Sequence, residues 1–244
     1  MKKGFRLLII CMFLLSLNLI SAINLDISKN IISNKVIVDL DEPAVFDLVI
    51  RNLGETEEFE IYSLIGVDLT PTSKFIISSG GTKTIRVTAI PQTALKSNRG
   101  FLNFEYRIKD EENQIQKETL TINIISLEDL FSITSEPINP KSEKTTISIE
   151  NQANMDFDNV ELIINSAFFE IKETISIKAL ETKVLETNID KESSKSLTAG
   201  NYLLNTEVKI NTEKAEIESL IKFLEQEDIE TTEVNEGIIV KRNE

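Results

Sequence analysis

The chain of 244 residues has no histidine, no tryptophan and a single cysteine, Cys11. Without histidine there is no Ser–His–Asp or Cys–His nucleophile, and the usual zinc and copper ligand sets cannot form. Aromatic residues are 6% of the chain, which is poor for stacking sugars. Basic residues are also scarce: 26 Lys and Arg face 40 Asp and Glu, a net charge of −14. Nucleic acid needs a positive surface, so it is excluded as a partner. No glycine-rich phosphate loop occurs, and Gly80-Gly81 reads as a hairpin signal instead. With 40 acidic residues some carboxylate pair is inevitable, so a glycosidase-like pair carries no specificity. The one Ser-x-x-Lys, Ser219 to Lys222, falls in an expected strand, where that spacing is accidental. These absences assign no catalytic, cofactor-binding or metal residue, and the chain reads as a non-enzyme without a cofactor.

Apolar residues are 41% of the sequence and charged residues 27%, so a folded core is affordable. The first 22 residues read as an export signal. Lys2, Lys3 and Arg6 form a positive start, Leu7 to Leu19 is almost wholly apolar, and Ser21-Ala22 supplies small residues for cleavage. The apolar run is shorter than the ~20 residues of a spanning helix. An uncleaved signal anchor is the alternative, because Ile20 is bulky two positions before Ala22. Ile10 before Cys11 does not fit a lipoprotein signal. Cleavage near Ala22 removes Lys2, Lys3 and Arg6, taking the net charge from −14 to −17, and removes the only cysteine. The mature protein is then extracytoplasmic and must hold together without a disulfide.

From residue 23 onward the chain reads as strands. Apolar and polar residues alternate in Lys35–Leu40, Val45–Arg51, Glu58–Leu64, Thr84–Ile90, Phe101–Ile108 and Leu120–Ile124. Turn formers separate them, as in Asn52-Leu53-Gly54, Ser78–Gly81, Lys96–Gly100 and Lys109–Asn113. Seven or eight short strands in ~100 residues is the pattern of an antiparallel β-sandwich. The pattern then recurs at a period of about 100. Ile50-Arg51-Asn52 matches Ile149-Glu150-Asn151, Phe75–Ile77 matches Ile175–Ile177, Thr82-Lys83 matches Thr182-Lys183, and Gly100 matches Gly200. The expected class is all-β: two tandem immunoglobulin-like antiparallel sandwiches after an N-terminal signal helix.

The expected organisation is a signal peptide or anchor over 1–22, sandwich 1 over 23–127, sandwich 2 over 128–225, and an acidic tail or linker over 226–244. Phe46, Phe59, Phe75, Phe101 and Phe104 are the bulky core candidates of the first sandwich; Phe157, Phe168, Phe169 and Tyr202 are those of the second. Ala215–Leu224 fits either a helix or a final strand, and the repeat favours the strand. Two acidic loops, Asp39–Glu42 and Asp110–Asn113, carry oxygens of the kind that bind calcium, yet each reads better as a solvated turn. Free sheet edges are expected to be guarded by charge, as at Lys35 or Lys172.

The strand Phe46–Asn52, the Gly80-Gly81-Thr82 turn and the glycine-led strand Gly100–Tyr106 resemble prokaryotic surface immunoglobulin-like modules, nearest the CARDB-like type of archaeal envelope proteins. The resemblance implies tandem display outside the cell, with a structural, adhesive or protein-binding role toward a protein or cell-surface partner. It brings no catalytic residues. Membrane contact is expected only through the N-terminal segment, if that is uncleaved. Periplasmic pilus chaperones, which bind subunits by strand addition, are also exported pairs of such domains and form the alternative. Their expected basic cleft is not suggested by this acidic chain.

Overall fold

A computed structural model describes residues 23–64 and 66–225. The expected signal segment (1–22) and acidic tail (226–244) lie outside the described residues. The chain is all-β, and it divides into two compact units. The first runs through Leu130 and also takes Gln152–Met155; the second takes Phe131–Asn151 and the chain from Asp156.

The first unit is built from β1 (Leu25–Ser33), β2 (Lys35–Ile37), β3 (Ala44–Asn52), β4 (Glu57–Ser63), β5 (Val67–Thr70), β6 (Phe75–Ile77), β7 (Thr82–Pro91), β8 (Gly100–Lys109) and β9 (Ile115–Ile125). One turn of helix, α1 (Thr93–Lys96), joins β7 to β8. One sheet has the order β1-β3-β7-β5 and the other β2-β9-β8-β4-β6. All pairings are antiparallel except β2 with β9, which is parallel. The alternation read from the sequence packs this sandwich. Phe46, Leu48 and Ile50 of β3 face Phe59 and Ile61 of β4 and Phe104, Tyr106 and Ile108 of β8 in one buried cluster.

The second unit repeats the plan with β10 (Phe131–Ser135), β11 (Lys144–Asn151), β12 (Phe157–Ser166), β13 (Glu170–Ile177), β14 (Thr182–Asn188), β15 (Gly200–Ile210) and β16 (Glu213–Phe223). Its helical turn, α2 (Lys191–Ser194), sits between β14 and β15 and is capped by Asp190, which accepts the Glu192 and Ser193 N–H groups. The sheets are β10-β11-β14 and β13-β12-β15-β16. Position for position, β10 stands for β1, β11 for β3, β12 for β4, β13 for β6, β14 for β7, β15 for β8 and β16 for β9. The first unit alone adds β5. The β2 ladder shrinks in the second unit to one parallel bridge, Ile138 with Phe223.

The repeat is held by the same buried residue in each unit. Asn52 ends β3 and is almost fully buried; its side-chain amide donates to the Ile77 carbonyl at 3.0 Å, in the opposite sheet, and to the Glu55 carbonyl. Its backbone N–H donates to Gly81 O at 2.9 Å. Asn151 ends β11, is likewise buried, donates from its side chain to Lys178 O at 2.8 Å and from its backbone to Glu181 O at 2.9 Å. The turn each asparagine grips closes through Gly81 N to Ser78 O (2.8 Å) or Glu181 N to Lys178 O (3.1 Å). It needs one left-handed residue. That residue is Gly80 (φ 69°) in the first unit and Leu180 (φ 56°) in the second.

The second unit also carries a tyrosine corner at the start of β15, where the Tyr202 hydroxyl donates to Thr198 O at 2.6 Å. The Tyr202 ring meets Phe168 edge-on at 5.2 Å, and Phe168 meets Phe223 at 5.1 Å. Leu102 holds the matching place in the first unit, so this cluster has no counterpart there.

Several sequence expectations need correction. Phe101 is 75% exposed, not core: it shares the outward parity of Asn103 and Glu105, while Phe104, Tyr106 and Ile108 point inward. Lys35–Leu40 is not one strand, because Val38–Leu40 turns as a 3-10 helix after β2. Gly80-Gly81 does not make a hairpin, since β6 and β7 belong to different sheets and the turn crosses between them. The first unit has nine strands among the described residues, more than the seven or eight expected. The Ala215–Leu224 region is strand, as the repeat favoured.

Replacing Phe104 with Ala should cost about 3–5 kcal/mol, and replacing Phe101 with Ala well under 1 kcal/mol, by urea denaturation. Leu180→Gly removes an exposed side chain and relieves the left-handed backbone, so it should stabilise by about 1 kcal/mol. A destabilised Leu180→Gly protein would contradict the turn described for the second unit.

Candidate functional site

Three kinds of place could carry a site: the acidic loops, the stray Ser-Lys spacing, and the exposed faces. Ser219 and Lys222 lie on β16, where a spacing of three puts them on opposite faces. The Ser219 hydroxyl is buried, and Lys222 is exposed, so they do not meet.

The Asp39–Glu42 loop is structural in its contacts. Asp39 accepts the Leu127 N–H at 2.6 Å and lies 4.0 Å from Arg99, while Asp41 pairs with Lys96. In the Asp110–Asn113 loop, Asp110 is buried and uses Oδ1 to accept the Gln114 N–H at 2.8 Å. Asn113 takes the left-handed conformation (φ 63°) that closes the β8–β9 turn. Beside it lies a shallow groove lined by Asn24, Gly54, Glu55, Glu57, Asp110 and Glu112. Burial pushes the Glu57 carboxyl above its ordinary value, and the charges of Asp110, Glu112, Glu111 and Glu55 push it further the same way. No set of three or more Asp, Glu, His or Cys side chains among the described residues is arranged to hold a metal ion.

Elsewhere many basic groups are paired with carboxylates. On the β1-β3-β7-β5 sheet, the Arg86 guanidinium grips Asp47 through two bonds of 2.9 and 3.0 Å. Hydrogen bonding to Arg86 holds the Asp47 carboxyl below the usual range. Arg107 does the same to Glu105, and Lys178 with the Ala179 N–H does so to Asp156. The outer face of β8, β4 and β6 carries the pairs Arg107–Glu105, Lys109–Glu60 and Lys74–Glu58. On edge strand β13, Lys172 pairs with Glu170 at 2.7 Å, and Lys35 of edge strand β2 donates to Gln152 O. Most of the basic side chains in these pairs are engaged with partners within their own unit.

The outer faces also expose apolar side chains. In the second unit Leu203 of β15 lies directly opposite Leu220 of β16, and both are more than half exposed. In the first unit Phe101 and Leu64 are the most exposed large apolar side chains. The sequence offered no site at these positions, because one exposed leucine in an alternating strand looks like any other. Only the cross-strand register makes Leu203 and Leu220 a pair. Among the described residues no helix is long and apolar enough to cross a membrane.

No family model matches the chain, and no curated protein matches it by sequence. Solved structures match over most of its length at low identity. They include the YadV chaperone (13% identity, 81% of this chain and 99% of that one, TM-score 0.27). The E. coli chaperone DraB matches at 9% identity over 81% of this chain and 98% of that one, with a TM-score of 0.29. A red sea bream transglutaminase matches at 6% identity with a TM-score of 0.33; it covers 85% of this chain, which spans 32% of the transglutaminase. At these scores the likenesses carry no argument about activity, partner or place in the cell.

The opposite shifts of these carboxyls set the pH response. Asp47, Glu105 and Asp156 have lowered values when folded, so their stabilisation is present at neutral pH and is lost as pH falls through those values. Glu57 has a raised value, so its penalty is present at neutral pH and is relieved as pH falls. Glu57→Gln should therefore raise the unfolding free energy, measured by urea denaturation at pH 7, by up to ~0.5 kcal/mol, with no gain at pH 4. A gain equal at both pH values would contradict the crowding of carboxylates at this pole.

Proposed function

We propose that the chain is an exported cell-envelope protein whose two immunoglobulin-like units serve a non-catalytic structural, adhesive or protein-binding role. The observation that carries this reading is the duplication itself. The same strand plan and the same buried asparagine occur twice in one chain, with Asn52 gripping the turn before β7 and Asn151 the turn before β14. A module repeated whole is a unit of length and display. The apolar N-terminal sequence supplies the route out of the cell, and sandwiches that need no disulfide suit a chain whose only cysteine would leave with the signal. Likeness to CARDB-like surface modules belongs to this proposal and rests on the sequence pattern.

The ion-paired outer faces suit a surface that stays soluble, and the Leu203–Leu220 pair is the apolar spot where a protein partner could gain burial. Strand addition in the manner of a pilus chaperone is the weaker reading, because such a site needs a basic anchor, whereas Arg86, Arg107, Lys109 and Lys178 are ion-paired.

The test is fractionation of expressing cells with N-terminal sequencing of the product. A chain beginning at Ile23 outside the cytoplasm, or an intact Met1 in the membrane fraction, supports export. Full-length protein in the soluble cytoplasm contradicts it. In the envelope extract, a partner retained by the wild type but lost with Leu203→Glu would support the binding role.

A further inference from the structure

The two units close the seam between their first and last strands in different ways. In the first unit, β1 is latched to β9 by side chains. Lys29 Nζ pairs with Glu118 at 2.8 Å and donates to Thr119 O at 3.0 Å. The Gln116 side chain accepts the Leu25 N–H at 3.3 Å and donates to Leu25 O at 3.2 Å. Beneath this latch lies Tyr106, fully buried, with Lys29 5.7 Å from its ring centre; its hydroxyl is the one partnerless buried hydroxyl of this unit among the described residues, and the latch covers it. The β2 ladder with β9, Lys35 to Ile37 against Asn123 to Ile125, extends the closure.

The registers fix the corresponding positions in the second unit. Leu25 lies opposite Asn52 and Phe131 opposite Asn151; Gly100 lies opposite Ile124 and Gly200 opposite Phe223. Lys29 therefore corresponds to Ser135, Gln116 to Ala215, Glu118 to Ile217, Tyr106 to Thr206 and Leu120 to Ser219. Every latch residue is replaced by one that cannot reach across. Small side chains let β10 pack beside β16, but the Ser135, Thr206 and Ser219 hydroxyls are buried there without a hydrogen-bond partner among the described residues. Among the described residues the hydrogen bonds that cross the seam lie beyond the end of β10, at Ile138 N to Lys222 O (2.8 Å) and Leu224 N to Ile138 O (2.9 Å).

A buried hydroxyl without a partner gains hydrogen bonds to water when the structure around it opens, so it favours opening. We propose that β10 is a yielding strand, which detaches from the second unit before its counterpart β1 detaches from the first. The inference stands on the seam alone. If the chain is a tandem surface protein, as proposed above, it gains a strand that releases length under load while the first sandwich stays intact.

Hydrogen–deuterium exchange of the full chain at rising urea tests this. Amides of Phe131–Ser135 should lose protection at lower urea than those of Leu25–Ser33, and equal or reversed order would overturn the proposal. Thr206→Val keeps the shape and removes one partnerless hydroxyl; it should slow exchange in β10 by about fivefold and leave β1 unchanged. Faster or unaltered exchange in β10 would overturn it. Lys29→Met should unlatch the first unit and speed exchange in β1 only; no effect there would overturn the role given to the latch. None of these readings depends on where the protein is located, so they fail or succeed separately from export.

Discussion

A buried asparagine amide that holds the place where the chain crosses between sheets is the interaction on which each unit depends. Two sheets in a sandwich attract each other through apolar area, which is strong but does not fix direction. The chain must also cross between sheets, and a crossing leaves backbone groups that neither ladder satisfies. Asn52 and Asn151 meet that need with one side chain and one backbone N–H each. They end β3 and β11, and they hold the turn from which β7 and β14 start. With that turn fixed, the inward parity of the following strand is fixed too, and the alternate residues Ile85, Val87 and Ala89 of β7 reach the core.

Around the two pins the energetics are ordinary for a protein without disulfides. The stabilisation comes from buried Phe, Ile, Leu and Val; exposed ion pairs such as Lys144–Glu186 and Lys209–Glu161 add little each. Their contribution is to mark sheet edges with polar groups. The units then differ in detail. The first invests in β5, the β2 ladder and the Lys29–Glu118 latch; the second invests in the Tyr202, Phe168 and Phe223 cluster at one end. Duplication kept the frame and let the fastenings diverge.

Much of this frame was legible in the sequence because a strand with one buried face writes its period directly. The alternations at Val45–Arg51 and Phe101–Ile108 are β3 and β8, and the matches from Ile50-Arg51-Asn52 to Gly200 are equivalent places in the two units. Alternation does not say which parity faces inward at a strand's end, and a bulky aromatic at Phe101 reads as core for that reason. Gly80-Gly81 showed that a turn existed, but turn chemistry does not reveal whether the next strand pairs with its neighbour or crosses to another sheet. The pins themselves were visible only as a repeated Asn, since nothing local marks a side chain as buried. The exposed Leu203–Leu220 pair and the seam hydroxyls needed cross-strand register, which joins residues far apart in the chain.

The central claim is that Asn52 and Asn151 play one role in two copies of one module. Side-chain amide exchange, followed by NMR in the folded protein, tests it most directly. The chain has many asparagines on exposed turns, whose side-chain NH2 signals should exchange rapidly. Two asparagine NH2 groups, those of Asn52 and Asn151, should be strongly protected, and to a similar degree. Rapid exchange at both, or protection at only one, would contradict the shared pin and with it the reading of the chain as a duplicated unit.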